Sequence, residues 1–260
     1  MISFHFKGTF ESHEAEVARL WDLGCQGLEE RGDELVAYFP EVFDLVAEGF
    51  EGRWQEDNTD WLAKYYADLK PIVLDKLIVA AEHCEVVAGG RRVLWLEPGM
   101  AFGTGHHETT QMALESLEKH NLKDCSVFDL GTGSGILAIA AMMLGAKQAF
   151  GIDNDPITIP IAAENAEING AKVDFAVGDL SVLPDHGIQD HSFDIFIANI
   201  YAEVHAELAQ DYKRLLKPGG LLIVTGIMKE KRDIAFKPLS QYFSDLKVMS
   251  KGEWLLIEAS

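Results

Sequence analysis

The hydrophobic positions change period several times along the chain. Ile2, Phe4 and Phe6 alternate with Ser3, His5 and Lys7, the two-residue repeat of a half-buried strand. Val17, Leu20 and Trp21 then recur at helical spacing behind Ser12, the expected N-cap. A second strand is expected over residues 35–39, between Arg31-Gly32-Asp33 and Pro40, and a short helix and a further strand follow through Phe50 and Trp54. Strand, helix, strand, helix, strand predicts a small α+β domain. Residues 56–68 are acidic and aromatic with no Gly/Ser run, and read as a partly helical linker. From Val127 onward, apolar strands over 127–130, 149–152, 173–177, 193–197 and 221–225 alternate with helices over 136–144, 159–168, 203–215 and 231–241. That alternation predicts an α/β domain with a mostly parallel sheet and helices on both faces.

Composition narrows the class. A chain of 260 residues, 48% hydrophobic and 25% charged, has room for one large domain or a large one and a small one. The longest unbroken apolar run, residues 136–144, is too short to span a membrane, and residues 1–10 alternate where a secretory signal would be continuously apolar. A cytoplasmic protein is the expectation. Cys25, Cys84 and Cys125 lack CxxC pairing, and the adjacent His106 and His107 lack the partners of a zinc motif, so neither disulfides nor a metal are expected. Net charge changes the picture most: 22 basic against 42 acidic residues leave −20. Such a surface repels phosphate backbones and attracts basic partners, so no direct nucleic-acid binding is expected. The first 60 residues hold fifteen acids and four bases, a local sum of −11, which suits either a basic partner or a solvated face.

The candidate chemistry gathers at predicted strand ends. Asp129-Leu130-Gly131-Thr132-Gly133-Ser134-Gly135 lies where a strand gives way to a helix, and its glycines allow a sharp turn and close approach of a ligand to the backbone. Its GxGxG spacing differs from the GxGxxG dinucleotide fingerprint. Asp153 closes the next strand, where a carboxylate can accept both hydroxyls of a ribose. Asp179 ends a third strand, as an adenine contact or as a turn residue, and Asn199 puts a neutral amide at the end of a fourth, or caps the helix beyond it. Upstream, residues 97–110 hold three glycines before His106, and Thr109 or Thr110 is the expected cap of the helix carrying Met112, Leu114 and Leu117.

The segment Glu97-Pro98-Gly99-Met100-Ala101-Phe102-Gly103-Thr104-Gly105-His106, the following Thr109-Thr110, the Asp129 to Gly135 loop, Gly151-Ile152-Asp153, Ala198-Asn199-Ile200 and Gly252-Glu253-Trp254 together resemble the ribosomal protein L-eleven methyltransferase family. The likeness runs over nearly the whole chain. It implies a class I, Rossmann-like methyltransferase domain over 68–260, preceded by a ferredoxin-like substrate-recognition domain over 1–56 and a linker over 57–67. It further implies S-adenosyl-L-methionine as cofactor, with contacts from Thr110, Gly131, Gly133, Asp153, Asp179 and Asn199, and methylation of lysine side chains and the N-terminal amine of a basic ribosomal protein. Asn199 is then the amine-orienting residue, and Phe102, Thr104 and His106 form the substrate mouth.

Methyl transfer from a sulfonium to an amine needs alignment more than acid–base chemistry, which fits a site holding Asn199 and Thr104 without a catalytic triad. Two other classes compete: a nicotinamide-dependent oxidoreductase on the same sheet, and a module that binds the cofactor without catalysis. The GxGxG spacing and the neutral Asn199 speak against the first, and a labelled methyl-transfer assay separates the second.

Overall fold

The computed structural model describes residues 2–10, 12–25, 27–39, 42, 45, 49–56, 70–81, 84–97 and 105–260. The chain forms two compact units, Met1–Ala67 and Asp68–Ser260.

In the first unit, β1 (Ile2–Lys7) leads into α1 (Glu14–Asp22), followed by β2 (Gly27–Arg31), β3 (Glu34–Phe39) and β4 (Gly52–Glu56). The sheet order is β2-β3-β1-β4, with every pairing antiparallel. Alternation along β1 turns Phe4 and Phe6 into a core with Leu20, Leu35, Phe39 and Phe50. The strand β2 was not expected, because Gly-Leu-Glu-Glu-Arg shows no apolar repeat; it is held as one arm of a hairpin with β3. The helix starts at Glu14 behind His13, and Ser12 is not its cap: the Ser12 hydroxyl accepts from the Thr9 N–H at 2.9 Å. The helix expected between Pro40 and Phe50 and the linker over 57–67 fall largely outside the described residues.

The second unit opens with a three-stranded sheet, β5 (Ile72–Val73), β6 (Leu77–Ala81) and β7 (Arg92–Leu96), in that order. Helix α2 (Glu108–Lys119) follows, and then the alternating series: β8 (Ser126–Leu130), α3 (Ile136–Met143), β9 (Gln148–Asp153), α4 (Thr158–Ile168), β10 (Val173–Val177), β11 (Phe193–Asn199), α5 (Ala202–Leu215), β12 (Leu216–Met228), α6 (Arg232–Tyr242), β13 (Lys247–Lys251) and β14 (Trp254–Ala259). Seven strands form one sheet in the order β10-β9-β8-β11-β12-β14-β13. The first five run parallel, as expected, and β14 lies antiparallel to both of its neighbours. Each central strand feeds two cores. Val127, Ile195, Ile197 and Ile223 pack with α2 and α3, while Phe128, Phe196, Ala198 and Val224 pack with α5 and α6. This two-sided burial is why those strands read as nearly continuous apolar runs.

No helix among the described residues is long and apolar enough to cross a membrane.

Candidate functional site

The order of strands reverses between β8 and β11: from β8 the chain builds outward to β9 and β10, then returns to β11 on the other side. Such a switch point opens a crevice at the carboxyl ends of the strands. A cleft of about 780 Å³ lies there, lined among others by Gly131, Gly133, Asp153, Asp179, Asn199, Tyr201 and Trp254. Its size falls within the range of small-molecule sites, and its carboxylates and the Asn199 amide converge from the ends of three different strands, β9, β10 and β11, beside the glycine turn of a fourth, β8.

The turn after β8 is locked from below and open above. Gly131 and Thr132 donate their N–H groups to the Ile152 carbonyl, each at 2.9 Å. Gly131 has φ +70°, and a Cβ there would meet Ile200 Cγ2 at 2.7 Å, so glycine is required both for the turn and for the packing. Beneath it, Asp129 is 1% exposed. One carboxylate oxygen accepts from Thr132 Oγ1 at 2.8 Å and from the Ala138 N–H at 3.2 Å, tying the turn to α3. The other, Oδ1, has no hydrogen-bond partner among the described residues. Burial, only partly offset by those bonds, pushes the Asp129 carboxyl up from 3.8 to about 7.

Asp153 closes the cleft on the β9 side. Its Oδ2 accepts from the Gly133 N–H at 2.9 Å and its Oδ1 from the Asp155 N–H at 3.0 Å, so the carboxylate spans the glycine turn and the turn after its own strand. Asp179 lines the cleft and also caps the 3-10 turn Leu180–His186 by accepting from the Ser181 N–H at 2.8 Å; its bonds with Ser181 hold its carboxyl below the ordinary range. Asn199 ends β11 beside Thr225 of β12, and its Nδ2 donates to Thr110 Oγ1 at 3.3 Å.

Thr110 stands behind the cleft wall. It is 1% exposed and faces Asn199, while its neighbour Thr109 reaches the lining. Neither threonine caps the helix: α2 begins at Glu108, the cap is His107, and His107 Nδ1 accepts from the Thr109 N–H at 3.4 Å. His106 lies away from the cleft lining, with Nε2 2.9 Å from the Lys70 carbonyl. Phe102 and Thr104 lie outside the described residues. Among those described, no cluster of His, Cys, Asp or Glu is arranged to hold a metal ion.

Sequence reasoning gave no site role to Tyr201, Trp254 or Asn165, although Trp254 closes the Gly252-Glu253-Trp254 motif. Tyr201, 74% exposed, and Trp254, whose ring stands edge-on to His107 at 4.9 Å, add aromatic surface to the cleft. Asn165 of α4 is completely buried; it donates to the Ser134 carbonyl at 2.9 Å and accepts from the Glu97 N–H at 2.9 Å, joining the glycine turn to the end of β7. A helical asparagine with partners 31 and 68 positions away leaves no local pattern.

This arrangement fits a nucleoside cofactor with a positively charged tail. Gly131 and Gly133 of the glycine turn border the cleft, and Asp153 stands at the strand end where a ribose is bound in such folds. Asp153, Asp155 and Asp179 give the lining a negative character.

Comparison with known proteins agrees along the full chain. The family model described as Ribosomal protein L11 methyltransferase (PrmA) matches residues 13–260. The ribosomal protein L11 methyltransferases of Deinococcus radiodurans and Thermus thermophilus are each 42% identical, over 100% and 99% of this chain and 98% of each relative. Among solved structures, the ribosomal protein L11 methylase of Lactobacillus delbrueckii subsp. bulgaricus superposes with a TM-score of 0.65 at 34% identity, over 74% of this chain and 98% of that one.

Proposed function

Because this chain belongs to the ribosomal protein L11 methyltransferase family, we propose that it methylates lysine side chains and the N-terminal amine of ribosomal protein L11. The observation that carries the reading is the convergence of the glycine turn, Asp153 and Asn199 on one cleft. S-adenosylmethionine supplies an electrophilic methyl carbon on a sulfonium, which leaves as a neutral thioether. Gly131, Gly133, Asp153 and Asp179, which line the cleft, would hold it, with Asp153 as the acceptor for the ribose hydroxyls.

The protein's own task is to present a neutral amine. A lysine with a reference pKa of about 10.4 lies roughly 3.4 units above pH 7, a cost of about 4.6 kcal/mol for the free base. Desolvation in the cleft and a nearby positive charge both lower that cost. With Nδ2 engaged by Thr110, Asn199 keeps its amide oxygen as an acceptor for an amine N–H, which turns the nitrogen lone pair toward the methyl group. No strong base is needed in the transition state, because the proton leaves separately from the methyl transfer.

The first unit we read as a ferredoxin-like recognition domain over 1–56, joined by a linker over 57–67 to the catalytic domain over 68–260. Support comes from its antiparallel β2-β3-β1-β4 order with a helix between β1 and β2, and from its local charge of −11, which attracts a basic substrate. We place the enzyme in the cytoplasm, where ribosomal proteins are made.

Mass spectrometry of L11 after incubation with enzyme and cofactor tests both readings. Single-methyl increments on lysines and the amino terminus are expected from the full chain, and none from a chain lacking residues 1–56 that still binds cofactor. Absence of increments with the full chain overturns the substrate, and undiminished methylation by the shortened chain overturns the recognition role.

A further inference from the structure

Directly behind Asn199 lies a histidine that the reaction as described leaves without a role. His205, in the first turn of α5, is 0% exposed. Its Nε2 lies 2.8 Å from the Thr225 carbonyl and its Nδ1 3.0 Å from the Tyr212 hydroxyl. A carbonyl oxygen only accepts, so Nε2 carries the proton, and the neutral ring accepts the Tyr212 O–H at Nδ1. Burial keeps the ring neutral: it lowers the imidazole from 6.5 to about 4, against the opposing pull of the Thr225 and Ile200 carbonyls.

The same carbonyl also holds the site. Thr225 is the register partner of Asn199, and its oxygen accepts the Ile200 N–H at 3.1 Å. One residue on, the β12–β14 register shifts at Gly226, where a Cβ would come within 2.3 Å of the Ile200 oxygen. The 199–201 turn is therefore seated directly on the β12 backbone, and His205 clamps the seat from the α5 side. An aliphatic residue could fill this space without the cost of burying an imidazole, so the ring's bonds are what distinguish it.

We propose that His205 is a positioning residue for methyl transfer: bonded to the Thr225 carbonyl, it fixes the 199–201 turn and so presents the Asn199 amide to the amine. The inference rests on Asn199 as the amine-orienting group. It is tested by measuring kcat, KM for the protein substrate, and cofactor affinity with stoichiometry for His205→Leu, His205→Gln, Asn199→Ala and the double variant His205→Leu/Asn199→Ala.

His205→Leu is expected to lose about tenfold in kcat with full cofactor stoichiometry and affinity, and to add no further loss when Asn199 is already alanine, as for two residues acting through one contact. His205→Gln, whose amide N–H can reach the same carbonyl, is expected to restore most of kcat. Wild-type kcat in His205→Leu, a glutamine variant as slow as the leucine one, or losses that multiply in the double variant would each overturn the proposal. Full kcat in Asn199→Ala would remove the amine-orienting reading and this inference with it, whereas a slow Asn199→Ala beside a fast His205→Leu would remove this inference alone. Should His205→Leu fail to bind cofactor, Tyr212→Phe decides. It leaves the ring in place but removes the bond that orients it, so a reduced kcat at unchanged cofactor affinity supports the proposal and an unchanged kcat overturns it.

Discussion

The two ends of β11 use polar side chains in opposite ways. At the amino end, one oxygen of Asp194 accepts from the Ser126 N–H at 2.8 Å, faces the Ser126 hydroxyl at 2.7 Å and pairs with Lys217 at 2.8 Å. Those partners come from β8 and β12 on either side, so the three strands close on one another. At the carboxyl end, five residues on, Asn199 meets Thr110 and otherwise borders the cleft. The backbone explains the difference. Beyond its carboxyl end each parallel strand turns away into a loop and helix, and the loops from β8 and β11 diverge on opposite faces, leaving space between them. At the amino ends the space is smaller, a hollow of about 320 Å³ against about 780 Å³, and Asp194 on its border satisfies Lys217 and Ser126 across the three strands.

The largest effect that would test this contrast lies at the open end. Asn199→Ala is expected to lower kcat by roughly a hundredfold, in the range for removing one group that orients or stabilises the reacting atoms, with cofactor affinity changed far less. Equal losses in turnover and affinity would make Asn199 a binding residue only. Next in size, Asp153→Ala is expected to weaken S-adenosylmethionine binding by about 1.5–3 kcal/mol, as for lost hydrogen bonds to a charged group. Calorimetry reads this directly, and unchanged affinity would remove the ribose assignment.

How much of this was legible follows from where each signal resides. Strand β10 agrees with its expected span residue for residue, and α5 and α6 agree to within one residue at each end, because their apolar spacing is local. Strand β11 runs two residues past its expected end, since Ala198 and Asn199 continue the ladder with Val224 and Thr225. Strand β12 starts at Leu216, ahead of the expected residue 221, and this early start was not readable because Lys217-Pro218-Gly219-Gly220 has the composition of a turn. The small sheet β5-β6-β7 and the antiparallel β13 and β14 were not anticipated: each is defined by its partners, and β5 has only two residues. In the site, Asp153, Asp179 and Asn199 were readable because strand ends in a parallel sheet share one edge. The side of α2 that Thr110 presents was not readable, because the helix begins at Glu108, ahead of both Thr109 and Thr110, either of which was the expected cap.

The carboxyl edge also contains a sealed carboxylate, and its titration sharpens the contrast further. Asp129 is raised from 3.8 to about 7 by burial, so between those values the folded chain holds a proton that the unfolded chain has lost. Its contribution is fully present below about pH 4 and is lost as pH rises through about 7. His205, lowered to about 4, works in the opposite direction between about 4 and 6.5, which is why the difference between two chains is the useful quantity. Asp129→Asn keeps an acceptor for Thr132 and the Ala138 N–H and cannot ionise. Its melting temperature relative to the parent is expected to rise steadily from pH 4 to pH 7, and a constant difference across that window would show that Asp129 is ionised throughout.

The smallest effect is expected at the closed end. Asp194→Ala removes the acceptor shared by Ser126 and Lys217, but the carboxylate is about one-third exposed and water replaces part of what is lost. A loss of about 1 kcal/mol is expected, or roughly 2–4 °C in melting temperature for a unit of this size. Burial pushes the Asp194 carboxyl up, yet the Lys217 ammonium and the Ser126 bonds outweigh it and leave it below the ordinary 3.8. A lowered carboxylate stabilises above its unfolded value and stops doing so as pH falls through the folded one, so the gap between parent and variant should close below about pH 4. Meanwhile kcat and cofactor affinity should match the parent, because Asp194 lies at the opposite end of the strand from Asn199. If Asp194→Ala slowed methylation as strongly as Asn199→Ala while still binding cofactor fully, the division of β11 into a structural end and a chemical end would be wrong.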